Sequence, residues 1–378
     1  MVNLPHFSAF YMISLYIHIP FCVKKCDYCA FYSISSTEKV YEEYTNALIH
    51  QINTFKFYEN VKTIYFGGGT PSVIGSNRLN RILDALKNRF DLSGCEEITL
   101  EVNPKTTSLD ELYELRMNGF NRLSIGLQST NNDLLDSIGR IHTFEDYLKT
   151  LEEAKSAGFT NISTDLIYGL PDQLLSDHLY SVKKLVELDV KHISVYALSI
   201  EPNTRMYQFR DSYIFPDEDE EFQMYLSTSE FLENNGFLHY EISNFAKHGF
   251  ESKHNCAYWK NKNYYGFGLN ASGYENDIRY KNLCDFEKYI KTPLEHEDEE
   301  FLSIKETMEN EIFLGLRLKD GINITSLEKK YKINFESKYK KIIDKYTKLQ
   351  LLKIENNNCY LTENGFLLSN EIMSEFID

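Results

Sequence analysis

Three cysteines stand close together near the start of the chain, in the segment Cys22-Val-Lys-Lys-Cys26-Asp-Tyr-Cys29. Thiolates at C-x3-C-x2-C spacing on one loop suit a soft metal or an iron–sulfur cluster. A structural zinc site needs a fourth ligand, usually from a second pair, and the sequence offers none close by. The spacing therefore favours a four-iron cluster in which one iron lacks a protein ligand, with zinc as the alternative.

Short β-rich runs alternate with amphipathic stretches over the first half of the chain. Six predicted strands occupy Ser14–Ile19, Thr63–Phe66, Glu97–Val102, Arg122–Leu127, Asn161–Ile167 and His192–Leu198. Five predicted helices lie between them, at Glu38–Gln51, Asn77–Asn88, Leu109–Asn118, Phe144–Ala157 and Asp177–Leu188. Each connection is long enough for a right-handed crossover, so the sequence predicts an α/β fold with a parallel sheet, curled or closed as a barrel.

The residues that could bind a cofactor follow or end these predicted strands. The cysteines follow the first strand, and a glycine run, Gly67-Gly-Gly-Thr-Pro71, follows the second. Further candidates stand at or near the ends of the later strands: Glu101, Gln128, Asp165, Tyr196 and Ala197. Because the carboxyl ends of parallel strands meet at one edge, we expect a single site on one rim of the sheet.

The regular alternation ends near residue 205. A helix is predicted over Asp217–Asn235, and Glu295–Glu300 is predicted to be an acidic linker. Helices and a hairpin at Leu352–Glu355 and Cys359–Leu361 then predict a small winged-helix-like domain. The chain is accordingly divided into an N-terminal extension (1–13), a βα core (14–205), a core extension (206–294) and a C-terminal domain (295–378).

The composition excludes several classes of partner. The 378 residues include 56 acidic and 40 basic ones, for a net charge of −16. This balance disfavours nucleic acid and anionic membranes, so membrane contact is expected only through an acceptor protein. No apolar run has the length of a membrane span, and the N-terminus lacks the positive start of a signal peptide. The seven cysteines, an odd number, argue against disulfides, so we predict a cytoplasmic protein, with Met12 as a candidate natural start.

The cysteine spacing after a first strand, followed by Gly-Gly-Gly-Thr-Pro, resembles the radical S-adenosylmethionine (SAM) superfamily. Further segments are similar to the oxygen-independent coproporphyrinogen III oxidase group: Tyr16–Cys22, Gly67–Pro71, Glu101–Pro104, Ser124–Gln128, Gly139-Arg140 and Asp165–Pro171. The resemblance covers roughly the whole chain and implies a partial (β/α)6 TIM-like barrel with a small C-terminal helical, winged-helix-like domain. It also implies that Cys22, Cys26 and Cys29 hold a [4Fe-4S] cluster whose fourth iron is chelated by SAM.

The same resemblance implies a set of SAM-binding residues. Tyr16, Gly68, Glu101 and Ala197 match positions that contact the cluster-bound SAM. Tyr28, Gly69, Thr70, Gln128, Arg140 and Asp165 match positions that hold a second SAM in the oxidase. The residue types are compatible with SAM binding, because glycine lets the backbone approach a ligand closely and arginine can make a bidentate contact with a carboxylate. Taken singly, each also has an ordinary structural interpretation, such as a tight turn or a surface ion pair.

One position departs from the oxidase pattern. The decarboxylating oxidase has a further cysteine two residues after the third, and this chain has Phe31 there. The related heme chaperone family, HemW, has an aromatic residue at this position and an H-N-x-x-Y-W motif, which here spans residues 254–259. Histidine and cysteine are accepted axial ligands of heme, and aromatic rings suit a planar macrocycle, so His254, Cys256, Tyr258 and Trp259 are candidate heme contacts. A buried structural histidine is the alternative for His254.

The resemblance therefore implies a heme chaperone that carries heme and a SAM-ligated [4Fe-4S] cluster and passes heme to an acceptor protein. An electron donor such as flavodoxin or ferredoxin is a further expected partner. Two alternatives stay open. One is a radical SAM enzyme, either an oxidase of the coproporphyrinogen type or a methyltransferase, although Phe31 weighs against the oxidase. The other is a zinc-stabilised binding protein without redox chemistry.

Overall fold

The computed structural model describes residues 12–56 and 59–377. Most of the N-terminal extension predicted from the sequence (1–13) therefore lies outside the described residues. Within the described part, one sheet of twelve strands forms the body of the protein, and a separate three-stranded sheet lies in the C-terminal region.

The first six strands are parallel neighbours in chain order. They are β1 (Met12–Ile19), β2 (Asn60–Gly68), β3 (Glu97–Val102), β4 (Arg122–Gln128), β5 (Asn161–Tyr168) and β6 (His192–Ala197). The other strands of this sheet are β7 (Leu238–Glu241), β8 (Asn244–Ala246), β9 (Tyr264–Phe267), β10 (Ser272–Glu275), β11 (Ile278–Asn282) and β12 (His296–Phe301). β9 pairs with β1 in parallel, whereas β8 pairs with β6 antiparallel, so the sheet continues past both ends of the parallel set.

Helices cross between the parallel strands, as the sequence predicts for an α/β fold. They are α1 (Glu38–Thr54), α2 (Ser76–Arg89), α3 (Leu109–Asn118), α4 (Asn132–Ser137), α5 (Phe144–Ser156) and α6 (Leu175–Glu187). The helices that follow β6 are α7 (Arg205–Gln208), α8 (Glu218–Asn234), α9 (Lys253–Trp259) and α10 (Phe286–Lys291). All six predicted strands and all five predicted helices of the core are confirmed, with shifts of a few residues at their ends.

Burial explains why these segments form this architecture. All seven residues of β4 are buried, as expected for a parallel strand that is covered on both faces. α2 buries Leu79, Ile82 and Leu86 at helical spacing, so it covers the sheet with one apolar stripe. The core lies between the sheet and its helices, and the carboxyl ends of β1–β6 meet at one rim.

The acidic segment Glu295–Glu300 is not a linker. Residues His296–Phe301 form β12, which pairs antiparallel with β11 at the edge of the large sheet. Asp298 lies opposite Lys281, and Glu300 lies opposite Arg279, so opposite charges stabilise the strand pair. All six residues of β12 are exposed, and the strand therefore lacks the apolar alternation by which a strand is identified from sequence.

The C-terminal region is mainly helical. Its helices are α11 (Ile304–Gly315), α12 (Ile324–Tyr331), α13 (Phe335–Lys338), α14 (Lys340–Lys348), α15 (Glu363–Leu367) and α16 (Ser369–Ser374). Its sheet contains β13 (Ile322–Asn323), β14 (Leu352–Glu355) and β15 (Asn358–Leu361), in the order β13-β15-β14, which confirms the predicted hairpin. No helix in the described ranges combines the length and the apolar character that a bilayer crossing requires.

Candidate functional site

The cysteine loop leaves the carboxyl end of β1 and is fixed by backbone hydrogen bonds. The Cys22 amide donates to the Ile34 carbonyl over 3.1 Å, and the Ile34 amide donates to the Pro20 carbonyl over 2.8 Å. On the neighbouring strand end, the Thr70 amide donates to the Phe21 carbonyl over 2.7 Å. The loop is thereby held beside the glycine run, and the three cysteines share one end of the barrel.

The three thiols are free and partly buried. The Cys22 Sγ lies 3.6 Å from the Thr70 hydroxyl, and the Cys26 Sγ lies 3.6 Å from an Arg140 Nη. These sulfurs and that of Cys29 do not all lie within 4.8 Å of one another in the described structure. A single zinc ion holds its sulfurs at about 2.3 Å, and hence about 4 Å apart. The donor set therefore fits a cluster of several irons better than one zinc ion.

The glycine run permits a close approach of the backbone to this loop. A side chain at Gly69 would place its Cβ only 2.5 Å from the Phe21 carbonyl oxygen. Gly68 adopts a φ of 119°, which non-glycine residues rarely adopt. Gly69 also donates its amide to the Ile19 carbonyl over 2.9 Å. Glycine is therefore required at position 69 by the space beside the cysteine loop and is favoured at position 68 by the backbone conformation.

A cavity of about 610 Å³ opens at this rim. The residues predicted from sequence that line it are Cys26, Tyr28, Cys29, Gly68, Gly69, Thr70, Glu101, Gln128, Arg140, Asp165, Tyr196 and Ala197. The predicted residues Tyr16 and Cys22 are not among its lining, although Cys22 contacts Thr70 and Tyr16 stacks on Tyr65. The volume is in the range of a site for one small organic ligand.

Glu101 is a buried carboxyl group in the wall of this cavity. Its carboxylate accepts hydrogen bonds from the Tyr65 hydroxyl over 2.8 Å and from the Gly68 amide over 3.1 Å. Burial raises the pKa of Glu101 to about 7, an effect that the nearby Asp165 reinforces and the two hydrogen bonds oppose. Burial likewise raises the pKa of Asp165, which accepts hydrogen bonds from Ser124. The cavity thus holds two carboxyl groups that a cationic ligand would stabilise in their charged form.

Arg140 links the cysteine loop to the ends of β3 and β4. Its guanidinium donates to the Asn103 side-chain oxygen over 2.7 Å and to the Gly126 carbonyl. Asn103 in turn donates to the Thr70 hydroxyl over 2.7 Å. The Nε of Arg140 is buried and has no partner in the described structure. This arginine therefore combines a fixed position with one unused donor at the cavity.

Comparison with known proteins agrees with this geometry. The model of the radical SAM superfamily matches residues 16–200, and that of the HemN C-terminal domain matches residues 302–368. The heme chaperone HemW of Lactococcus lactis is 41% identical to this chain, over 96% of the chain and 97% of that protein. The heme chaperone HemW of Bacillus subtilis is 37% identical, over 97% of the chain and 99% of that protein. The chain belongs to the HemW family.

The HemW family assignment is consistent with a solved structure of the same fold. Coproporphyrinogen III oxidase (HemN) from Escherichia coli, described as a radical SAM enzyme, matches with a TM-score of 0.85. The match covers 97% of this chain and 91% of that one at 24% identity, and at this identity it shows the fold alone. Membership of the radical SAM superfamily implies a [4Fe-4S] cluster and SAM. The sulfur spacing and the glycine-lined cavity fit both groups.

The HemW-type H-N-x-x-Y-W motif lies on α9, and its histidine is enclosed in the protein interior. His254 is fully buried, and its ring stacks on Tyr65 at a centroid distance of 5.1 Å. Its Nδ1 lies 2.9 Å from the Thr63 hydroxyl, and its Nε2 lies 2.8 Å from the Tyr258 hydroxyl. Burial lowers the pKa of His254 to about 3, so the ring is neutral. Both ring nitrogens are engaged, and the geometry weighs against His254 as an axial heme ligand.

The other motif residues lie in different surroundings. Asn255 lines the cavity beside the cysteine loop, whereas Cys256 faces a different cavity. Trp259 is covered by the Arg317 guanidinium at 4.3 Å from the ring. The structure therefore does not bring the four predicted heme contacts, His254, Cys256, Tyr258 and Trp259, onto one open surface.

Several cavity residues escaped the sequence analysis. Tyr65, Asn103, Arg122 and Asn255 line the cavity, and Tyr65 and Asn103 bond directly to predicted residues. Tyr65 and Gly67 are two residues apart on β2, and Glu101 and Asn103 are two apart at the end of β3. Side chains two apart on a strand share a face, so this spacing could have identified Tyr65 and Asn103. Asn255 belongs to the H-N-x-x-Y-W motif, but the motif does not reveal that its asparagine lines the cavity beside the cysteine loop, because α9 lies far from the other cavity residues in the sequence.

Proposed function

We propose that this chain is a heme chaperone that binds heme, carries a SAM-ligated [4Fe-4S] cluster and delivers heme to an acceptor protein. The observation that carries this function is the match, along 96% of the chain, to a relative named heme chaperone HemW. The chain also lacks a fourth cysteine beside the triad, where Phe31 stands with 70% of its surface exposed.

The residues at the rim have distinct roles in this proposal. Cys22, Cys26 and Cys29 hold the cluster, which supplies one-electron chemistry to SAM when both are bound. Gly68 and Gly69 let the backbone approach the amino-acid part of SAM. Glu101 and Ala197 then face the cluster-bound SAM, and Tyr16, which is not part of the cavity lining, supports the site through Tyr65. Tyr28, Thr70, Gln128, Arg140 and Asp165 line the rest of the cavity, at positions that by resemblance hold a second SAM.

The partners follow from these roles. Loading and release require heme and a heme-acceptor protein, and reduction of the cluster requires an electron donor such as a flavodoxin or ferredoxin. We place the protein in the cytoplasm, in agreement with its thiols being free.

One observation favours a second candidate function, a radical SAM enzyme. The cavity beside the cysteine loop contains both acidic and basic groups that could contact SAM, namely the buried carboxyl groups of Glu101 and Asp165 and the guanidinium of Arg140. Such a cavity is suited to SAM cleavage as well as to SAM binding. A coproporphyrinogen oxidase and a methyltransferase both fall in this class.

An activity assay separates the two functions. The reconstituted protein is incubated anaerobically with coproporphyrinogen III, SAM and a strong reductant, and the tetrapyrroles are separated by chromatography. We expect no protoporphyrinogen, because Phe31 stands where the oxidase has its additional cysteine. Conversion of coproporphyrinogen by the wild-type protein, absent from a Cys22→Ala control, would establish the enzyme instead.

The pKa of Glu101 gives a second prediction. With a pKa of about 7, the ionised fraction of Glu101 rises about tenfold between pH 6 and pH 8. SAM carries a sulfonium cation, which a carboxylate attracts. We expect SAM affinity, measured by calorimetry on the reconstituted protein, to rise over this interval by up to about tenfold. Glu101→Gln cannot ionise, and an equally steep rise in this variant would show that another group is responsible.

A further inference from the structure

A second and larger cavity lies at the opposite end of the barrel from the cysteine loop. Its volume is about 1120 Å³, and it is bordered by the amino-terminal ends of β1 and β2, where Met12, Ser14 and Lys62 stand. The C-terminal region closes one side with Leu318 and Lys319. We call this cavity the lysine groove.

The lysine groove has an apolar wall beside a thiol. Met12, Phe237, Leu238 and Leu318 contribute the apolar side chains. Cys256 and Lys260 are four residues apart, and the Lys260 amide donates to the Cys256 carbonyl over 3.1 Å, so the two share one face at the end of α9. The H-N-x-x-Y-W motif thus presents Cys256 to this groove while His254 is fully buried.

The groove gathers positive charge on an acidic protein. Five lysines line it, at positions 62, 253, 260, 262 and 319, against four acidic residues, at positions 96, 233, 251 and 320. Lys62 and Lys253 share Glu96, and Lys319 pairs with Glu233 and Glu363. Lys260 and Lys262 are exposed and have no carboxylate within ion-pair distance in the described ranges. Two cations are therefore available to an anionic ligand.

We propose that heme docks in the lysine groove, with its two carboxylates on Lys260 and Lys262 and its iron facing the Cys256 thiol. This inference rests on the proposed function and deepens it by assigning the site. Heme is a flat apolar ring with two carboxylates and an iron, and the groove matches these with an apolar wall, two unpaired cations and a thiol.

The other sites on the molecule are less suitable for heme. The cavity beside the cysteine loop is lined by the acidic Glu101 and Asp165 as well as by the basic Arg122 and Arg140, so it offers no unpaired pair of cations for two heme carboxylates. The cluster and SAM also occupy that cavity in the proposed function. His254 offers no open nitrogen and has no exposed surface. The lysine groove is separate from both, so heme and SAM can be bound at the same time.

Coordination by Cys256 requires loss of a proton. Burial raises the pKa of the Cys256 thiol to about 11, so the thiol is protonated at neutral pH. On binding of ferric heme, the S–H bond breaks, the Fe–S bond forms and the proton leaves to solvent; the iron keeps its oxidation state. The thiolate then balances positive charge on the iron.

Hemin titration of the full chain, followed by absorbance, tests the assignment. We expect the double variant Lys260→Glu/Lys262→Glu to bind hemin about tenfold more weakly than the wild type. Lys340→Glu/Lys341→Glu, which makes the same charge change on α14, should bind like the wild type. Cys256→Ala should still bind, with a shifted Soret band. Saturating SAM should leave the hemin affinity unchanged.

Three results would overturn the assignment. If Lys260→Glu/Lys262→Glu and Cys256→Ala both bound hemin with the affinity and the spectrum of the wild type, heme would bind outside the lysine groove. The proposed chaperone function would be unaffected by that result. Competition between SAM and hemin would place heme in the cavity beside the cysteine loop. Absence of saturable hemin binding by the wild type would refute the proposed function together with this site.

Discussion

Replacement of Cys22, Cys26 or Cys29 by Ala is expected to abolish the iron–sulfur cluster. Iron content after anaerobic reconstitution should fall from about four per chain to near zero, because each substitution removes one of the three thiolates that hold the cluster. The brown colour should be lost with it. SAM affinity should fall in parallel, since the ligand loses its metal anchor.

Controls for this prediction are available in the same chain. Cys95→Ala and Cys359→Ala remove thiols outside the cysteine loop and should leave the iron content unchanged. A triple variant of the loop cysteines that still binds four irons would show that the cluster is elsewhere. A colourless wild-type protein that contains zinc and no iron would support the zinc alternative.

His254→Ala is expected to destabilise the fold while sparing heme binding. The Thr63 hydroxyl donates to Ser14, so the His254 Nδ1–H donates to Thr63 and Nε2 accepts from Tyr258. The substitution removes the acceptor of the Tyr258 hydroxyl and the donor to Thr63, which keeps its bond to Ser14, and it leaves a cavity beside Tyr65. Together these effects should lower the free energy of unfolding by about 2–4 kcal/mol. Denaturant unfolding measures this loss, and hemin titration should give the wild-type stoichiometry.

The matched control for this variant is His248→Ala, because His248 is exposed. It should change the free energy of unfolding by less than about 0.5 kcal/mol. If His254→Ala retained wild-type stability and lost hemin binding, His254 would be a heme ligand, and the structural role assigned to it would be refuted.

The sequence predicts the core of this fold well because its local patterns agree with its tertiary structure. The parallel strands are buried on both faces and appear as apolar runs, and the helices between them have one apolar face. The edge strand β12 has neither pattern. Its stability comes from pairing with β11, where Asp298 and Glu300 face Lys281 and Arg279, and such pairing is invisible in a single segment.

In the site, likewise, contiguous motifs could be predicted from the sequence, whereas contacts between distant segments could not. The cysteine triad and the glycine run are contiguous motifs, and the fold places them side by side. Asn255 reaches the same cavity from α9, which the sequence places more than 150 residues after Glu101. The burial of His254 depends on Thr63, Tyr65 and Tyr258, which come from β2 and α9. Contacts between residues so far apart in the sequence are set by the topology of the fold, and the spacing of residues within one motif does not reveal them.

Anaerobic hemin titration of the cluster-reconstituted protein tests the central claim most directly. If the chain is a heme chaperone, absorbance should saturate at one heme per chain, and the bound heme should pass to an added apo-hemoprotein. A linear, non-saturating titration, with heme that stays in solution, would contradict the account and leave a radical SAM enzyme as the function to pursue.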